Sequence, residues 1–328
     1  NRVVNLLDET PISIGAYNNA SNWYDGYMAQ VIHVNNQALD ATSFGEFDED
    51  SGIWKPIDIT ELTVGTNGYF LDFEDASNLG NDASGGTDFT ENNLAATDQT
   101  TDTCTNNFAT INPLDNYFAQ ATLSEGNTKV ATNASAEAMS TSTFAMTKGR
   151  WYFEVDFISN SGSVSRQCGI TPTPSYQSSS FGKAGDVTPH THAYSDSGNL
   201  QTGDGSGGQT ALATLSSFTN GDIIGIYMDL EDMKSYWSKN GTLMNSGTGI
   251  DLTALASNGT GHYMFYVGDN NTAAQTCEAN FGNGFQSLSS AVTDDNGYGS
   301  FEYSPNITGD GTAKSFYSCC TKNLAEFG

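Results

Sequence analysis

The chain has 328 residues, too long for one small domain and long enough for two β domains. Its 11 Lys and Arg stand against 38 Asp and Glu, a formal net charge of −27 that repels phosphate backbones and anionic lipid, so no nucleic acid and no bare membrane is expected as a partner. The 18 Phe, 15 Tyr and 4 Trp exclude a disordered chain, and no apolar run reaches the roughly 18 residues of a membrane span, so no membrane insertion is expected.

Strand-like alternation recurs along the chain while helical periodicity is nearly absent, so helix is expected below about 10%. The chain opens in mid-pattern at Asn1 with no leader, as expected of a fragment or processed product. Ile12 and Ile14 alternate with Ser13 and lead to Gly26–Val34, a run apolar on both alternations and expected to be a strand buried on both faces. Too few residues precede that strand to supply a second sheet. The edge at Ile12 and Ile14 is therefore expected to be a subunit contact, with the later connector as the alternative cover. Asn35-Asn36 tolerates a left-handed turn, and Tyr69–Phe73 is a further strand.

After Glu74 the composition shifts to Asp, Asn, Gly and Thr, which cannot build a core of its own. Residues 1–74 are taken as one β region and 75–115 as a connector anchored by Phe89, Leu94 and Phe108. Residues 116–328 form a second β region. In it, Phe118–Leu123 and Asn127–Ala131 flank Ser124-Glu125-Gly126 as a hairpin. Trp151, Phe153, Val155 and Phe157 share one face of a strand, and Tyr152, Glu154 and Asp156 the other, expected to be wet. Ile224, Ile226, Met228 and Leu230 repeat the pattern, and Asn240-Gly241 is a hairpin turn. Tyr263–Val267 and Ala279–Phe285 are the closing strands, while 177–186 and 196–209 are long loops suited to a functional surface.

Four motifs of the second region resemble a SPRY domain, a β-sandwich interaction module. They are Lys148–Val155 (KGRWYFEV), Gly221–Leu230 (GDIIGIYMDL), Tyr236–Gly241 (YWSKNG) and Ala279–Phe285 (ANFGNGF). The first region, through Gly26–Val34, Gln37–Asp40, Ser43–Glu46, Gly52–Pro56 and Gly65–Phe73, is similar to the end of a laminin-G or concanavalin-like sandwich of phage structural proteins, without its N-terminal strands. The joint at 97–114 and the ending Cys320–Glu326 resemble those of marine phage tail and fibre proteins. The fold class implied is all-β, an antiparallel SPRY-like, concanavalin-like jelly-roll sandwich preceded by a partial laminin-G-like sandwich. The function implied is that of a virion component: a tail fibre, head fibre or decoration protein. Its partners would be other virion subunits, copies of itself, and a host surface glycan or protein. A secreted adhesin or lectin is the alternative binding class, and a capsule polysaccharide depolymerase the enzymatic one.

No chemical constellation contradicts a binding role. The chain contains no nucleophile elbow and no phosphate loop. His190 and His192 could share a ligand or metal from an extended loop, though a solvated loop explains them as well. Trp23, Tyr24 and Tyr176 lie in polar surroundings and are candidate sugar-stacking residues. Asp72, Asp75 and Asp82 gather hard oxygens for calcium without the EF-hand spacing, and the alternative is an ordinary polar loop, so no cofactor is required. Glu154 and Asp156 could form a glycosidase pair, but the SPRY-like motif implies a structural Glu154. Five cysteines without a CxxC pair are expected to be mostly buried thiols.

Overall fold

A computed structural model describes residues 12–16, 23–24, 26, 28–47, 54–59, 61–100, 102–103, 105–118, 120–133, 137–162, 165–172, 191–203, 209–253, 261–269, 273–285 and 288–328. Among the described residues strand, with isolated bridges, accounts for 42% and helix for 6%. The chain divides into two compact units, Asn1–Ala96 and Thr97–Gly328. The division falls inside the stretch set aside as a connector, whose two halves pack with different units.

In the first unit the strands are β1 (Val31–His33), β2 (Gly45–Phe47), β3 (Trp54–Pro56) and β4 (Tyr69–Leu71). They form two separate antiparallel ribbons, β1–β4 and β2–β3. Among the described residues no second sheet faces either ribbon, so the expected partial sandwich is seen only as these pairs. The expected two-sided burial of Gly26–Val34 does not hold: Met28 is exposed and Val31–Val34 are half-buried. A strand with one partner and no covering layer keeps its faces in water whatever its apolar pattern. Asn36 does take the left-handed turn, at φ 61°. Phe70, Leu71, Leu79, Ile59 and Val64 make the small buried set of this unit, joined by the edge-on contact of Tyr69 with Phe89. Leu94 is exposed and anchors nothing, unlike Phe108, which is buried in the second unit.

The second unit runs β5 (Ile111–Phe118), β6 (Thr122–Ser124), β7 (Lys129–Ala131), β8 (Ala138–Ser142), β9 (Arg150–Asn160) and β10 (Arg166–Thr171). It continues through β11 (His192–Ser195), β12 (Asn199–Gly203), β13 (Gln209–Thr214), β14 (Ile223–Asp229), β15 (Lys234–Lys239), β16 (Thr242–Leu243) and β17 (Ile250–Asp251). The last elements are β18 (Met264–Asp269), β19 (Gln275–Asn280), β20 (Asn306–Gly309), β21 (Thr312–Ser315), β22 (Tyr317–Ser318) and helix α1 (Thr321–Phe327). One sheet has the order β13-β12-β11-β10-β18-β8-β5, and the other β16-β15-β14-β9-β19-β7-β6. Their inward faces enclose one core that includes Trp151, Phe153, Val155, Phe157, Ile170, Tyr194, Ile226, Trp237 and Phe265. This is an all-β antiparallel sandwich, as the period-2 runs predict.

Local chemistry sets the turns. Asn240 and Gly241 both take positive φ, 48° and 72°, the combination a tight two-residue hairpin requires. Of the loop expected over 196–209 from composition, residues 196–203 are instead the β11–β12 turn and strand β12 and Gln209 opens β13, while 204–208 lie outside the described residues. In β12, Leu200 lies opposite Tyr194 and is fully buried, while the polar residues are tolerated near the sheet edge. Strand β19 stops at Asn280 rather than continuing to Phe285, because Asn280 Oδ1 captures the N–H groups of Gly282 and Gly284 and turns the chain. In the space beyond, β22 adds in parallel beside Trp151 and Tyr152.

The expected wet face of β9 is the main correction. Tyr152 and Glu154 are fully buried, because residues 288–328 return across that face. Phe301 packs edge-on against Tyr152, and Phe316 against Tyr227 and Tyr236, making a second, smaller core behind the sheet.

Candidate interaction surface

Backbone pairing brings several strand ends of the β13–β5 sheet to one edge of the sandwich. Thr171 at the end of β10 is paired with Met264 at the start of β18, and Ile170 with His192 at the start of β11. The β12–β13 ladder runs to the same end, closing at Gly203 and Gln209. These strand ends border segments 173–190, 204–208 and 254–260. Tyr176, His190 and the expected loop 177–186 fall in the first of these and lie outside the described residues. Thr210 and Gly261 stand exposed on the rim.

His192 belongs to the support of this rim and not to its surface, so it is neither a solvated loop residue nor a ligand contact. Strand alternation turns it inward with Tyr194 and leaves Ala193 on the other face. Its Nδ1 lies 3.1 Å from Ser235 Oγ, which also accepts the Trp237 Nε1–H at 3.0 Å, tying the two sheets together. Burial disfavours the imidazolium and pushes its pKa down to about 4.

Glu154 is the most perturbed carboxyl, and such groups are often catalytic. Here both oxygens are already engaged. Oε1 accepts from Tyr152 Oη at 2.9 Å and the Tyr303 N–H at 2.8 Å, and Oε2 from Asn280 Nδ2 and the Glu302 N–H, each at 3.0 Å. Burial drives its pKa up to about 7 against these four hydrogen bonds. With no exposed edge, Glu154 clamps the returning segment onto β9 and leaves no room for a substrate. Asp156, on the same face, is half-buried and is not seen to share a cleft with it.

The same segment is held at two further points. Lys314 reaches the fully buried Asp229 at 2.9 Å and also bonds Asp232, while Arg150 Nε meets Asp229 at 3.0 Å. Burial opposes the Lys314 charge, yet hydrogen bonds to Asp232 and Asp229 outweigh it and raise its pKa. Asp294 Oδ2 accepts from the Ser318 N–H, Ser318 Oγ and Asn323 Nδ2, fixing the start of α1.

In the first unit Trp23 and Tyr24 are 62% and 55% exposed, as a contact role requires, and the Tyr24 N–H donates to Gly15. Ile12 is exposed and Ile14 half-buried. The three aspartates expected to gather around calcium act as separate turn caps. Asp72 accepts from the Glu74 N–H, Asp75 from the Ser77 N–H and hydroxyl, and Asp82 Oδ1 from the Phe70 and Ser84 N–H groups and the Ser84 hydroxyl. Burial works against the charge of Asp82, but the bonds from Ser84 and Phe70 prevail and lower its pKa. Among the described residues no three His, Cys, Asp or Glu side chains converge on a metal position. Cys168, Cys277, Cys319 and Cys320 are buried free thiols.

One exposed feature escaped the sequence reading: Phe47 and Trp54, directly opposed on β2 and β3 and exposed by 66% and 41%. They flank the Glu46 and Lys55 motif residues, and the alternation of two short strands three residues long was the only signal available.

No family model matches the chain, and no curated protein matches it. Among solved structures it is similar to the crystal structure of the SPRY domain of human HERC1. The similarity covers 52% of this chain and 96% of that one, at 17% identity and a TM-score of 0.42.

Proposed function

We propose that the chain is a non-catalytic recognition and assembly protein that presents one end of its second sandwich to a surface glycan or protein of a host cell. The observation that carries this is the convergence of the strand ends at Thr171, His192, Gly203, Gln209 and Met264 over a core fixed by buried aromatics. A rigid sheet with these strand ends aligned supplies a firm rim for a contact surface, and the perturbed groups Glu154 and His192 are spent on internal hydrogen bonds. The strong acidity and the resemblances in the sequence fit a fibre or decoration component of a marine phage virion, working outside cells. A depolymerase would need an accessible pair of carboxyls, which Glu154 does not offer.

The test is to pass the full chain over immobilised surface polysaccharides and outer-surface proteins of marine bacteria. Retention without release of reducing ends, weakened by Thr210→Arg on the rim, is the expected result. Release of reducing ends would assign the depolymerase function instead, and retention indifferent to Thr210→Arg would remove the rim from the account.

A further inference from the structure

Asparagine followed by glycine is the pair most open to hydrolysis of its side-chain amide, because glycine leaves its own backbone nitrogen unhindered for attack. The chain has six such pairs, at 67–68, 220–221, 240–241, 258–259, 283–284 and 296–297. Asn258 lies outside the described residues. Four of the others hold their side-chain amide in place. Asn220 Oδ1 accepts from Arg166, and Asn240 accepts the Ile223 N–H at 2.8 Å and donates to Asp222 at 2.7 Å. Asn283 accepts the Phe281 N–H at 3.1 Å and donates to the Ala109 carbonyl at 3.2 Å. Asn296 donates to Asn323 at 2.9 Å and to Glu326 at 3.2 Å. Asn67 is exposed, and its side chain bonds to no described residue.

Backbone freedom separates Asn67 as well. The four tethered pairs belong to the second unit, with its large shared core. Asn67-Gly68 closes the turn before β4, whose three residues pair only with the three of β1. A two-stranded ribbon is marginal by itself and opens locally at little cost. The Gly68 N–H, which attack must free, is held by one bond, to the Gly65 carbonyl at 3.0 Å.

We propose that Asn67 is a hydrolytic modification site, and that its conversion to isoaspartate unlocks the β1–β4 ribbon and limits the working life of the first unit. The Gly68 nitrogen attacks Asn67 Cγ, and the amide departs as ammonia with the Gly68 proton. Water then opens the resulting five-membered imide at either carbonyl, leaving aspartate or isoaspartate, and no electrons are transferred. Isoaspartate routes the main chain through the side-chain carbon, which adds one backbone atom and leaves a carboxylate in the turn. The turn has no slack for that atom: a Cβ built on Gly68 would stand 2.0 Å from the Val64 carbonyl oxygen and 2.7 Å from that of His33. Strand β4 begins at the next residue, Tyr69, opposite His33, and carries Phe70 and Leu71 of the unit's small buried set.

The test holds the full chain in warm, mildly alkaline buffer and follows each pair by peptide mass spectrometry and by enzymatic methylation of isoaspartate. Asn67 should convert about tenfold faster than Asn220, Asn240, Asn283 or Asn296, the factor for releasing one or two side-chain hydrogen bonds. In urea, where the tethers are gone, these five pairs should convert at similar rates. Amide exchange at Tyr69–Leu71 should rise as Asn67 converts, and stay constant in Asn67→Gln, whose longer side chain closes its imide far more slowly. The proposal fails if Asn67 converts no faster than the tethered four, or if its lead persists in urea, where sequence and not structure would be choosing it. It also fails if exchange at 69–71 rises equally in Asn67→Gln.

Discussion

Replacing Glu154 by Gln tests the clamp on the returning C-terminal segment, and the outcome depends on pH in a specific way. The folded carboxyl titrates at about 7 against an ordinary value of 4.5, so the folded state holds its proton more tightly than the unfolded chain. The contribution of Glu154 to stability therefore falls as pH rises from about 4.5 to about 7, by roughly 3 kcal/mol in all, and is flat above. When protonated, Glu154 can donate only to Tyr152 Oη, the one neighbour able to accept. Tyr152 can pass its own proton toward Tyr227, which donates to the Ser304 carbonyl at 3.1 Å. The hydroxyl oxygen still receives the Tyr303 N–H. A glutamine can also donate to Tyr152, but its amide nitrogen cannot accept, so one buried N–H is orphaned at a cost of about 1–3 kcal/mol.

Glu154→Gln should thus be destabilised by about that amount near pH 5 and match the native protein near pH 7.5, where the native carboxylate bears its own burial cost. His192 supplies a slope of opposite sign. Its folded value of about 4 lies below the ordinary 6.5, so its contribution is present above pH 6.5 and lost as pH falls toward 4. In the native protein the two slopes nearly cancel between about pH 4.5 and 6.5, and in Glu154→Gln stability should rise with pH across that window. Urea unfolding followed by tryptophan fluorescence reads the second unit, because Trp151 and Trp237 are buried while Trp23 and Trp54 are exposed. An equal loss in Glu154→Gln at pH 5 and pH 7.5 would refute the reasoning. It would mean that the four hydrogen bonds, and not burial, set the charge of Glu154.

Trp151→Ala should cost about 3–5 kcal/mol in the same unfolding assay, since it empties a fully buried site. It also removes the Nε1–H bond to the Lys148 carbonyl. Lys314→Met should cost about 2–3 kcal/mol, somewhat less than breaking an isolated buried pair, because Arg150 remains beside Asp229. Hydrogen exchange should rise first in 306–318. Thiol titration should find Cys168, Cys277, Cys319 and Cys320 unreactive in the folded chain and reactive in denaturant, since burial raises the pKa of Cys168, Cys277 and Cys319 and blocks access. Fast native reaction of any of the four would contradict their placement.

Local regularities carried much of this architecture. The core face of Trp151, Phe153, Val155 and Phe157 was legible because alternation is a property of a single strand, and only the identity of the facing sheet had to come from elsewhere. The Asn240-Gly241 turn was legible for a similar reason: positive φ at two successive residues is a preference of those residues themselves. The buried thiols likewise followed from residue type. Tertiary structure decided what such rules cannot see. Alternation separates the two faces of β9 but says nothing of what lies beyond the second face, so Tyr152 and Glu154 looked wet until residues from Glu302 onward were found above them. Gly26–Val34 is the converse case, an apolar run left half-open because burial needs a partner layer as well as a pattern. The aspartates at 72, 75 and 82 have the composition of a calcium loop, and composition does not reveal the turn N–H groups from which each of them accepts a hydrogen bond. His192 stood beside Thr191 in a polar stretch. Pairing with β10 settled that it points inward, because a one-residue shift of register turns every side chain of a strand to its other face.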